Sequence, residues 1–166
     1  TVEQLRQIFN AEHVALVGAS DKEGSFGRLF LEGMRDTGCR NLYPVNPRKP
    51  ELLGMKAYPS ISDIPVELDA AILLTPPESV LDLVKECVAN KAKCAVVFAS
   101  GFGELGADGK ELELEIGRIG REGGTRVIGP NCLGFFNPAA GVITLPQVIM
   151  KGVPAEPGSV GGFSQS

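Results

Sequence analysis

The sequence predicts an α/β fold, a Rossmann-like doubly wound parallel sheet with helices on both faces, and three observations carry the prediction. The apolar runs at His13–Gly18, Ala70–Leu74 and Cys94–Phe98 are continuous rather than alternating, as strands covered on both faces must be. Between them lie segments whose apolar residues recur three and four positions apart, the spacing of a helix with one buried stripe. Strands and helices alternate along most of the chain, which calls for parallel strands joined by right-handed crossovers.

Each element follows from local signals. Val2, Leu5, Ile8 and Phe9 predict a short amphipathic helix ahead of the first strand. After the polar turn Ala19–Glu23, the residues Phe26, Leu29, Phe30, Gly33 and Met34 define one helical face, and Gly38 supplies a stop. Asn41–Val45 is the second strand, with Pro44 removing a ladder donor and so marking its end or an edge position. Leu52–Tyr58 reads as a brief extended piece and Ser60–Ile64 as a helical turn. Thr75, Pro76 and Glu78 form the pattern of an N-cap, a first helical proline and a capping box, before a stripe of Val80, Leu81, Val84, Cys87 and Val88. Asp108 with Glu111 is expected to cap a helix whose inner face is Leu112, Ile116 and Ile119, and Gly123 and Gly124 stop it. Arg126–Ile128 is a last short strand. From Pro138 the helical rhythm ends, and Pro146, Pro154 and Pro157 read as an extended connector leading to a further strand over 159–166. The expected organisation is a binding domain over 1–138, followed by a connector and the first strand of another domain over 139–166.

Composition narrows the functional classes. The 166 residues suit one well-buried core, and 43% hydrophobic residues with a mean hydropathy of +0.09 describe a globular chain. No apolar run reaches the 18 residues of a membrane span. A net charge of −4 argues against a nucleic-acid binder, which needs a concentrated basic face. Cys39, Cys87, Cys94 and Cys132 lack metal-ligand spacing, and the start of the chain lacks the basic and apolar blocks of a signal peptide, so buried thiols in a reducing cytoplasm are expected. His13 is the one histidine and begins the first strand, so no Ser-His-Asp or Cys-His arrangement fits within these residues and no catalytic residue is assigned.

In such sheets the ligand lies across the carboxyl ends of the strands. The first exit holds Ser20, Gly24, Ser25 and Gly27 between a strand and a helix, the context of a phosphate loop and also of an ordinary glycine turn. The second exit lacks the acid that nicotinamide-dinucleotide sites use for ribose hydroxyls. Asn46, Pro47, Arg48 and Lys49 instead offer two cations, suited to a ribose phosphate such as that of coenzyme A or NADP, or else a solvated basic turn. Thr75, Pro76 and Pro77 make a rigid wall fit for an adenine ring, besides starting a helix. Ser100 and Gly101 lie in a glycine-rich exit, and Asn131 in the turn after the last strand, where its amide would fix loop backbone.

Taken together, IFNAEHVALVGAS, YPVNPRKPELLGMKAYPSISDIP, LLTPPESV, FASGFGELG and GPNCLGFFNP resemble the coenzyme A-binding first domain of ADP-forming acetyl-CoA synthetases, relatives of the succinyl-CoA ligase α subunit. The likeness runs from about residue 8 to 138, and GSVGGFSQS is similar to the first strand of that family's second domain. It implies Ser20, Gly24, Ser25 and Gly27 near the pantetheine and phosphates, and Asn46, Pro47 and Lys49 near the nucleotide end. It also implies Thr75, Pro76 and Pro77 beside the adenosine, with Ser100, Gly101 and Asn131 along the path to the thiol. In that family the phosphorylated histidine lies on a downstream ligase domain, and ATP and magnesium on an ATP-grasp domain or subunit. The first loop, with Asp21, Lys22 and Glu23, is longer than the succinyl-CoA ligase version. Two alternatives stay open from the residues: an NADP-binding reductase domain, and a coenzyme A domain joined to a protein acetyltransferase.

Overall fold

A computed structural model describes residues 2–39, 41–144, 156–159 and 161–162. Helix α1 (Val2–Phe9) precedes β1 (His13–Val17), α2 (Phe26–Asp36) and β2 (Asn41–Val45). A small hairpin of β3 (Glu51–Leu52) and β4 (Met55–Lys56) and a 3-10 turn at Ile61–Asp63 lead to β5 (Ala70–Leu73) and α3 (Pro77–Ala89). Then come β6 (Cys94–Val97), α4 (Ala107–Gly123) and β7 (Arg126–Ile128), and a second hairpin of β8 (Phe136–Asn137) and β9 (Val142–Ile143).

Five strands form one parallel sheet in the order β2-β1-β5-β6-β7. Alternation along them sorts the core in two. Val14, Leu16, Ala70, Ile72, Cys94 and Val96 pack with Ile8 of α1 and with Phe30, Leu31 and Met34 of α2 on one face. Ala15, Val17, Ala71, Leu73, Ala95 and Val97 pack with Val80, Val84 and Cys87 of α3 and Ile116 of α4 on the other. The chain therefore leaves β1 toward one face and its neighbour β5 toward the opposite face, the condition that opens a crevice at the strands' carboxyl ends.

The two helix starts differ from expectation. Pro76, not Thr75, occupies the cap position of α3, with Pro77 first in the helix and no side-chain cap bond. Thr75 lies one residue too early to cap, so no capping box with Glu78 forms. At α4 the cap is Gly106 at φ +122, which has no side chain to offer, and Asp108 falls inside the first turn, where its charge favours the helix dipole instead. Both C-terminal stops form as expected: Gly38 takes φ +87 behind α2 and Gly124 takes φ +81 behind α4. The connector expected from Pro138 onward begins instead as the β8–β9 hairpin, which buries Val142 against the α2 face, and Thr144 Oγ1 donates to Phe135 O at 2.9 Å. The strand expected over 159–166 falls mostly outside the described residues.

Of the thiols, Cys87 and Cys94 are buried, and burial pushes each up to about 12; Cys39 and Cys132 are half-buried. Among the described residues no helix is long and apolar enough to cross a membrane, and no cluster of three His, Cys, Asp or Glu could hold a metal ion.

Candidate site at the carboxyl edge of the sheet

The exits of β1 and β2 are locked together by backbone and by one amide. Gly18, at φ +86, donates its N–H to Val45 O at 3.2 Å, and a side chain there would press on the Leu74 carbonyl at the exit of β5. Asn46 Nδ2 donates to Ala19 O at 2.8 Å, while its Oδ1 accepts from Arg48 N at 2.8 Å and Lys49 N at 3.2 Å. Asn46 thus works on the protein: it joins two loops and shapes the basic turn. Pro47 and Arg48 are exposed beside it.

Ser20 and Ser25 are likewise engaged locally. Ser20 Oγ accepts from Lys22 N at 3.0 Å; Ser25 Oγ donates to Lys22 O at 2.7 Å and accepts from Arg28 N at 3.3 Å as the N-cap of α2. The Arg28 amide is thereby taken up by Ser25, which leaves the amides of Phe26 and Gly27 as the leading donors of α2 without an intrahelical acceptor. Gly27 is buried against the Gly18 carbonyl oxygen, which a Cβ would overlap, so glycine lets the helix start rest on the strand exit. Gly24 has φ +73 and open space around it.

One ion pair spans the loops on this edge. Lys49 Nζ donates to both Asp21 oxygens, at 2.7 and 2.6 Å, and the Lys49 ammonium holds the Asp21 carboxyl below its usual range. Arg28 Nη1 donates to Asp21 O at 3.0 Å. Arg48 makes no ion pair among the described residues.

At the exit of β5, Thr75 Oγ1 is shielded from solvent and has no hydrogen-bond partner among the described residues. Gly101, at φ +105, approaches Pro77 so closely that a Cβ would lie 3.3 Å from its ring. The Gly101 and Phe102 amides donate to the Glu104 carboxylate at 2.5 and 3.1 Å; these bonds, the Gly101 amide first, hold Glu104 below its usual range. Asn131, at φ +52 and exposed, donates its backbone N–H to Ala99 O at 2.9 Å, which docks the turn after β7 onto the loop that carries Ser100. Phe26 is 58% exposed, with its ring 5.2 Å from that of Phe98 at the exit of β6.

All the residues expected from sequence fall on one edge, though not at one point. From the exit of β2 to that of β7 is four inter-strand spacings, roughly 19 Å, so Lys49 and Asn131 would touch opposite ends of an elongated ligand. Asp21, Glu104 and Phe26 belong to the same edge without having been singled out. The pairing of Asp21 with a lysine 28 positions away depends on strand order, which local pattern does not carry. A concavity of about 580 Å³ lies on the opposite edge, lined by Arg6, Glu12, His13, Asp69 and Lys93 among others. There Lys93 bonds Asp69 at 2.6 Å, the Glu12 and His13 amides bond the same carboxylate, and His13 Nδ1 lies 2.8 Å from the Tyr43 hydroxyl.

Coenzyme A fits this donor set. An unpartnered hydroxyl, helix-start amides and an exposed arginine suit an anionic chain of phosphates and amides, and the rigid Pro76–Pro77 turn and Phe26 offer apolar surface.

Comparison with known proteins agrees. An Archaeoglobus fulgidus ADP-forming acetate–CoA ligase II is 38% identical over 92% of this chain, which covers 23% of that protein. The α subunit of a Pyrococcus furiosus ADP-forming acetate–CoA ligase II is 37% identical over 89% of this chain and 33% of its own length. The solved dinucleotide forming acetyl-coenzyme A synthetase 1 of Ca. Korarchaeum cryptofilum, in complex with phosphate and ADP, superposes with a TM-score of 0.81 at 37% identity, over 85% of this chain and 30% of that one. The chain thus spans about a quarter to a third of the length of these three relatives. A family model described as CoA binding domain matches residues 12–138, so with this sheet, this edge and these relatives the chain belongs to the CoA binding domain family.

Proposed function

We propose that this domain holds coenzyme A along the carboxyl edge of its sheet, as the cofactor-binding part of a larger, cytoplasmic acyl-CoA synthetase of the nucleoside-diphosphate-forming kind. The observation that carries the reading is the Thr75 hydroxyl, buried without a partner where the chain turns to opposite faces. A buried hydroxyl left unpaired is costly, and a ligand acceptor relieves it. The ribose phosphate lies by Arg48 and Lys49, the diphosphate by Gly24, Gly27 and the start of α2, and the adenosine against Thr75, Pro76 and Pro77. The pantetheine arm then runs past Ser100 and Gly101 toward Asn131. Ser20, Ser25, Asn46 and Pro47 shape the loops that make these contacts.

Coenzyme A supplies the thiol that becomes the thioester. The protein's own part is to bind and orient it; the phosphorylated histidine and the ATP and magnesium belong to a ligase domain and to an ATP-grasp domain or subunit. Residues 1–138 form the binding unit in this reading, and 139–166, whose β9 strand still pairs back onto β8, lead toward the ligase domain.

Calorimetric titration with coenzyme A, dephospho-coenzyme A and NADPH tests the reading. Coenzyme A is expected to bind tightest. Tighter binding of NADPH overturns it in favour of a nicotinamide-dependent reductase domain.

A further inference from the structure

Lys49 is expected to meet the ligand's ribose phosphate, yet its ammonium is gripped by both oxygens of Asp21, at 2.7 and 2.6 Å. Two oxygens of one anionic group on a single ammonium is the arrangement a phosphomonoester would make there. We propose that Asp21 is an internal competitor for the ribose phosphate, a specificity residue whose carboxylate must leave Lys49 before the phosphate can take its place. The inference rests on the coenzyme A reading above and adds to it what sets the worth of that phosphate.

Three observations support competition over a simple clip. The loops after β1 and β2 are already joined without the ion pair, by Asn46 Nδ2 to Ala19 O at 2.8 Å and by Gly18 N to Val45 O at 3.2 Å. The pair is open to solvent, with side-chain exposures of 51% for Lys49 and 36% for Asp21, and exposed pairs of this kind contribute little to folding. The main chain of Asp21 is held by Arg28 Nη1 on its carbonyl at 3.0 Å, so the carboxylate swings aside by rotation about its side-chain bonds while the loop stays in place. Arg48, exposed and in no ion pair among the described residues, offers first contact to an incoming phosphate. The phosphate then gains Lys49 only by releasing Asp21, so part of the electrostatic gain is cancelled.

The quantity to measure is the ratio of dissociation constants for dephospho-coenzyme A and coenzyme A, by calorimetry on the full protein at low salt. Asp21→Asn is expected to raise the ratio about threefold to fivefold, the scale of an exposed ion pair, chiefly through tighter coenzyme A. Asp21→Ser should move it the same way, and Asp21→Glu should leave it near the wild-type value. The gain should shrink as salt is raised. An unchanged or lower ratio in Asp21→Asn and Asp21→Ser overturns the inference and makes Asp21 an aid that orients Lys49. Replacing both cations, Arg48→Gln with Lys49→Gln, separates this from the underlying reading: it should bring the ratio toward one. If it does not, the assignment of the phosphate to this turn fails, whatever Asp21 does.

Discussion

Replacing Thr75 with valine should have opposite effects on folding and binding. Valine keeps the β-branched shape and removes only the hydroxyl, whose oxygen is shielded and unpartnered. Leaving a buried hydroxyl unpaired costs ~1–3 kcal/mol. Thr75 as a whole is only half-buried, so the low end applies and Thr75→Val should gain ~1 kcal/mol. For a chain of this size that raises the melting temperature by about 2–4 °C. With coenzyme A bound as proposed, the same change would remove the hydroxyl's hydrogen bond to the ligand and should weaken binding about fivefold to tenfold. Thr75→Ser, which keeps the hydroxyl, should retain most of the affinity. Scanning calorimetry and titration on the same preparations check both signs. A valine variant that melts lower would refute the claim that the hydroxyl lacks a partner in the folded chain, and a stabilised variant with undiminished affinity would remove its role toward the ligand.

Other positions give equally definite expectations. Gly27→Ala puts a methyl group into the Gly18 carbonyl, a backbone atom that cannot turn aside, and should destabilise by ~2–3 kcal/mol while impairing coenzyme A binding. Gly24→Ala meets open space and bears only the strain of φ +73, ~1–2 kcal/mol, so chemical denaturation should rank the two. Lys91 closes α3 in a left-handed conformation at φ 55, with Ala92 N donating to Cys87 O at 2.9 Å, and Lys91→Gly should stabilise by ~0.5–1 kcal/mol in the same assay. Burial opposes ionisation of Asp69, but the Lys93 ammonium and the His13 and Glu12 amides outweigh it and hold the carboxyl below its usual range. Its contribution to stability is therefore full above the unfolded value of about 3.9 and fades as pH falls through the lower folded one. Asp69→Asn should lower the melting temperature at neutral pH, with the difference from wild type narrowing in acid.

The parallel sheet was legible because strands buried on both faces leave unbroken apolar runs, and β2 was legible down to its boundaries, with Pro44 leaving open whether it marked the strand's end or an edge; β2 is in fact outermost. The two hairpins were not, since strands of two residues carry no period. At α3 two successive prolines each suit a helix start, and pattern alone set the boundary one residue too early. The site was legible as a set of strand exits. Its contacts were not, because Asp21 with Lys49, Asn46 with Ala19 and Asn131 with Ala99 meet only once strand order brings those exits side by side. That Asn46, Ser20 and Ser25 bond to the loops themselves depends likewise on how the loop backbones fold, which residue type does not dictate.

The segment between β2 and β5 has a bearing on solubility. An outermost strand exposes a row of unpaired backbone groups to which another chain could add. Here the returning chain blocks that row: Tyr58 N donates to Pro44 O at 2.9 Å and Asn46 N donates to Tyr58 O at 2.8 Å, while Pro44 has no N–H to offer. At the far side β7 is only three residues long and begins with an exposed, charged Arg126. Neither border of the sheet presents a long, apolar stretch for edge-to-edge pairing, so a fully parallel sheet, whose non-local pairings form slowly during folding, is guarded against aggregation at both margins.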